Sequence, residues 1–110
     1  MMEGQKILQN IIDCQNNLRL SERKRIIEIF LSEEYYNCFC EYFEECSQVK
    51  GTKNLIEIQV NIPGSKLIKV KRWKILKESN CIIKFIDKHY GTDGNVKTKI
   101  MNFNDILSFV

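Results

Sequence analysis

Ser21-Glu22-Arg23-Lys24-Arg25-Ile26-Ile27-Glu28-Ile29-Phe30-Leu31-Ser32 is the stretch whose assignment sets the architecture of the N-terminal part of the chain. Ser21 followed by Glu22 makes a good N-cap, and Ile26, Ile27, Phe30 and Leu31 fall on one face at helical spacing, which predicts a short helix. That helix cannot simply run on. At about 100° per residue, Ile27 and Phe30 would share a side with Glu34, Glu41 and Glu45. A break at Ser32, whose hydroxyl can cap a new helix opening Glu33-Glu34, removes the conflict and predicts a further helix to about Ser47.

Upstream, from Gly4 to Leu20, Ile7, Leu8, Ile11, Ile12 and Leu18 recur at helical spacing with polar residues opposite, giving a first helix. Downstream, after Lys50-Gly51-Thr52, the period changes to two. Ile56, Ile58, Val60 and Ile62 alternate with Glu57, Gln59 and Asn61, as in a half-buried strand. Pro63-Gly64 suits the centre of a type II turn into a strand from about Lys66 to Leu76. Cys81 to Lys88 is a third strand, and Gly91-Thr92-Asp93-Gly94 turns the chain into a fourth, Val96 to Phe103. Asn104 or Asp105 can cap a last helical turn that tucks in Ile106, Leu107 and Phe109. The expected fold is α+β: two or three N-terminal helices packed on a four-stranded antiparallel sheet built from two hairpins. It forms one domain over 1–110, with a helical half 1–48, an antiparallel β half 52–103 and a short helical turn 104–110.

Composition supports a folded chain. An apolar fraction of 44% with 28% charged residues is that of a globular protein and argues against intrinsic disorder. Sixteen Ile, thirteen Lys and ten Asn beside no Ala and one Pro follow AT-rich codons, so the gene belongs to an AT-rich genome or a mobile element such as a phage or plasmid. No run approaches the roughly 20 apolar residues of a membrane span, and Met1-Met2-Glu3-Gly4-Gln5-Lys6 opens no signal-peptide pattern, so the expected location is the cytoplasm, with no membrane partner. Cys14, Cys38, Cys40, Cys46 and Cys81 are odd in number and read as free thiols in a reducing compartment.

Chemistry is sparsely signalled. Cys38-Phe39-Cys40 with Cys46 resembles metal-ligand spacing only loosely, because residues two apart on a helix point about 160° from each other. His89, the one histidine, lies between Asp87 and Asp93 and reads as a surface residue. No Gly-rich phosphate loop, H-E-x-x-H or G-x-S-x-G is present, so neither catalysis nor a cofactor or metal is expected.

Charge is the stronger signal. Residues 1–48 carry five basic and nine acidic side chains, net −4, and residues 49–110 carry twelve and five, net +7. Glu33, Glu34, Glu41, Glu44 and Glu45 project within an arc of about 120° on the third predicted helix, an acidic stripe opposite Tyr35, Tyr36, Phe39, Tyr42 and Phe43. That stripe suits a protein partner with a basic groove. The first expectation is therefore a small non-enzymatic protein that acts by occupying a macromolecular partner, for example a phage-type inhibitor of a host nuclease or defence complex. The alternative expectation is nucleic-acid binding: Lys66, Lys69, Lys71, Arg72, Lys74 and Lys77 surround Trp73, and cations with an interleaved aromatic are the recipe for holding an unpaired strand.

Overall fold

Ile7, Ile11, Cys14 and Leu18 form one fully buried stripe along the first element, α1, Gly4–Ser21. In this computed structural model, which describes residues 3–21, 24–48, 50–52, 55, 57–62, 67–77, 79–88 and 95–109, the order continues β1 Lys24–Leu31, α2 Glu33–Ser47, β2 Glu57–Val60 and β3 Ile68–Arg72. It closes with β4 Asn80–Asp87, β5 Asn95–Asn102 and a 3-10 helix Phe103–Ser108. The Pro63-Gly64 and Gly91 to Gly94 turns lie outside the described residues.

The α+β class holds, but the expected four-stranded antiparallel sheet does not. Among the described residues the sheet has five strands in the order β2-β3-β1-β4-β5, with β1 parallel to β3 and the other pairings antiparallel. Both expected hairpins exist, β2–β3 and β4–β5, but β1 separates them. The stretch read as a second helix is thus the central strand. Its Ile-rich run suits a strand flanked by a neighbour on each edge, and β-branched side chains favour the pleated surface. The helical spacing that misleads has a physical origin. Between Ile26 and Glu28 the register with β4 shifts by one residue, a bulge, so the inward positions are Ile26, Ile29 and Leu31, with a first interval of three. Gln15, buried in α1, accepts a 3.0 Å hydrogen bond from the Ile26 N–H beside this irregularity.

α2 begins where expected. The Ser32 hydroxyl accepts from the Tyr35 N–H at 3.3 Å, and Glu33 and Glu34 occupy the first turn, where the helix dipole favours carboxylates. Its apolar residues Tyr35, Tyr36, Phe39 and Cys40 are buried. α1 approaches α2 so closely at Gly4 that a Cβ there would run into the Cys38 carbonyl and sit 2.7 Å from Tyr42 Cβ, which explains glycine at this crossing.

The described helices α1, α2 and the 3-10 helix cover one face of the sheet. Gln15 of α1 meets β1, the Arg72 guanidinium of β3 lies 5.8 Å from the Tyr36 ring of α2, and Phe85 of β4 packs edge-on against Phe109 after the 3-10 helix at 4.9 Å. The core beneath them comprises Ile58, Val60, Ile68, Val70, Ile29, Leu31, Cys81, Ile83 and Phe85 from the strands, closed by Phe103 and Ile106. Among the described residues no helix is long and apolar enough to cross a membrane.

Candidate nucleic-acid interface

Strand alternation sends every second residue to the face that carries no helix among the described residues. In β4 the inward set is Cys81, Ile83, Phe85 and Asp87, leaving Asn80, Ile82, Lys84 and Ile86 outward. Register then fixes the rows. Lys71, Phe30, Ile82 and Ile100 stand side by side across β3, β1, β4 and β5, and Lys69, Glu28, Lys84 and Thr98 form the row next to it. Beyond that, Ile86 faces Val96. Ile100 and Val96 are 66% and 56% exposed, so this is an uncovered apolar surface crossed by a charged row.

Trp73 follows β3 and continues its outward alternation from Lys69 and Lys71. Its backbone N–H donates to the Leu31 carbonyl at 2.9 Å, fixing it past the end of β1. Its ring packs edge-to-face on Phe30, with centroids 5.3 Å apart and planes at 88°, yet the residue stays 40% exposed. Such a pair contributes about 0.5–1.5 kcal/mol beyond burial and holds the indole in one orientation. Because β1 lies between β3 and β4, the connection 73–79 crosses the end of β1. It presents exposed Lys74, Lys77 and an Ile75 that is 83% exposed.

Of the basic residues expected to act together, Lys69, Lys71 and Trp73 share the open face and Lys74 and Lys77 border it. Arg72 turns the other way, over Tyr36. Lys66 lies outside the described residues. Lys71 is held on the face by a 3.3 Å ion pair with Glu28 and lies 5.8 Å from the Phe30 ring. Phe30, Glu28 and Lys84 belong to this surface but were invisible to the sequence reading, because they join Lys69 and Trp73 only through the placement of β1. The Ile-rich composition of 26–31 was the signal that could have found them.

The acidic stripe is less uniform than its spacing implies. Glu34, Glu41 and Glu45 are exposed, whereas Glu33 and Glu44 are half-buried. Glu44 accepts from the Thr52 N–H at 2.7 Å and the Thr52 hydroxyl at 2.8 Å, tying the chain that leaves α2 to its last turn. Tyr42 and Phe43, expected on the packed side, are only half-buried.

The thiols divide by environment. Cys14 and Cys81 are fully buried, and burial pushes both up to about 12; Cys46 is exposed. Cys40 is buried and Cys38 half-buried on α2. Among the described residues no three His, Cys, Asp or Glu side chains come together as a metal site. His89 lies outside the described residues. Comparison of the chain with family models, curated proteins and solved structures finds no match.

Proposed function

We propose that this chain is a non-enzymatic protein that binds single-stranded nucleic acid on the helix-free face of its sheet. The observation that carries the reading is Trp73 braced edge-to-face by Phe30, with Lys69 and Lys84 on the same face. Lysines neutralise phosphates and release their counterions, while an exposed indole stacks on a base of any identity. A duplex hides its base faces, so an aromatic platform favours an unpaired strand. The acidic face of α2 supports the protein-partner reading less well, since Glu44 is engaged by Thr52. Free thiols fit the expected cytoplasmic location, and the codon bias fits a phage or plasmid.

Trp73 is the one tryptophan, so its fluorescence reports on the site directly. Titration with oligothymidylate at low salt should quench it, with affinity falling steeply as salt rises and a matched duplex binding more weakly. Lys69→Glu with Lys84→Glu should abolish binding, and Trp73→Leu should weaken it by about 1–3 kcal/mol. Absence of binding at low salt, or binding indifferent to these substitutions, overturns the reading and returns attention to a protein partner for Glu34, Glu41 and Glu45.

A further inference from the structure

Glu28 holds an unusual position for a carboxylate: the middle of the central strand, with a side chain only 14% exposed. Strict alternation from the buried Ile26 would send residue 28 inward. The bulge between Ile26 and Glu28 re-aims it to the open face, while Ile29 and Leu31 remain in the core. There it meets cations from both neighbouring strands. Lys69 is its register partner on β3, Lys84 its register partner on β4, and Lys71 reaches back to it at 3.3 Å. Residues directly opposite on a sheet have Cβ atoms about 4.5–5.5 Å apart, so Lys69 and Lys84 flank Glu28 while Lys71 makes the ion pair with it.

Resting on the nucleic-acid reading, we propose that Glu28 is a built-in counter-anion that holds Lys71 out of the phosphate-binding set. Lys69 and Lys84 take a backbone phosphate in the row of Glu28, and Glu28 sets the upper limit on affinity by occupying Lys71 and repelling that phosphate. A face tempered in this way releases its strand readily, because each bound phosphate competes with a carboxylate already in place. Removing the charge while keeping the shape should free Lys71 to act as one further phosphate contact.

The test uses the full chain, fluorescein-labelled oligothymidylate and a salt series. Glu28→Gln should bind about three- to tenfold more tightly at low salt, with a log–log salt slope steeper by about 0.7, the value for one added contact to a single strand. Lys71→Gln should alter the wild-type slope little, and in the Glu28→Gln background it should return the slope to the wild-type value. Thermal melts of each variant verify that the protein remains folded under assay conditions. If Glu28→Gln, folded, binds no more tightly than wild type and with the same slope, the counter-anion role is overturned while the nucleic-acid reading stands. If neither wild type nor Glu28→Gln binds at low salt, the nucleic-acid reading fails and this inference fails with it.

Discussion

The two faces of the sheet are made by the same strands in alternate residues, yet they obey different rules. On the covered face Ile29, Ile68, Val70, Cys81 and Ile83 are fully buried beneath helices. On the open face, one residue along, stand Glu28, Phe30, Lys69, Lys71, Ile82 and Lys84, and at the edge Val96 and Ile100 are more than half exposed. The covered face is chosen by packing, where volume and shape decide stability. Packing does not require Trp73 or Ile100 in the open positions, and a solvated sheet face is ordinarily polar. Residues that folding does not call for are where binding is to be sought.

The sharpest way to break this contrast is to truncate isoleucines on either side. Ile83→Ala on the covered face should cost about 2–5 kcal/mol by urea unfolding, the range for a buried Ile or Leu cut to Ala. Ile100→Ala on the open face should stay within about 0.5 kcal/mol. Comparable losses at the two positions would mean that something covers the open face in the free protein.

A smaller effect is expected at the helix crossing that closes the covered side. Gly4→Ala puts a Cβ against the Cys38 carbonyl, and overpacking of this kind costs about 1–3 kcal/mol. An unchanged melting temperature would show that α1 can move away from α2 without loss.

The buried thiols give a pH-dependent version of the same comparison. Cys14 and Cys81 rise from the ordinary 9.0 to about 12 because burial disfavours the thiolate, and their proximity adds to the effect at Cys81. Unfolded thiols begin to ionise near 9 while the folded ones remain protonated, so their contribution is fully present below pH 9 and is lost as pH rises toward 12. Tyr36, whose phenol is also pushed up by burial, adds to the same slope. Stability measured across this range should fall less steeply in Cys14→Ala/Cys81→Ala than in wild type. At neutral pH an alkylating reagent should modify exposed Cys46 well before either buried thiol.

The smallest expected effect on stability is on the open face itself. Lys69→Gln should shift unfolding by less than about 0.5 kcal/mol, as exposed charges do, while weakening oligonucleotide binding and reducing its salt slope by about 0.7. A stability loss that matched the binding loss would make Lys69 a structural residue instead.

What could be read from the sequence alone was what local chemistry controls. Ser32 caps α2 through its own hydroxyl three residues ahead, and period-two alternation marks β2 and a β-rich run marks β4 without reference to any partner. The last helical turn was legible but its cap was not: Asn102, not the expected Asn104 or Asp105, caps it by accepting from the Asn104 N–H at 2.9 Å, and Ile106 and Phe109 are buried, although Leu107 is not. Lys69, Lys71 and Trp73 were likewise visible as a cluster because they sit together in the chain. Only the tertiary structure decided that Lys24–Leu31 is a strand, that it enters between the two hairpins, and that it runs parallel to β3. A short Ile-rich run satisfies helical and extended periodicity alike, and its bulge restores a helix-like interval of three. The deciding free energy comes from pairing with β3 and β4, tens of residues away, which leaves no local trace. The same long-range pairing brings Glu28, Phe30 and Lys84 beside Lys71 and Trp73 and turns a basic cluster into a surface.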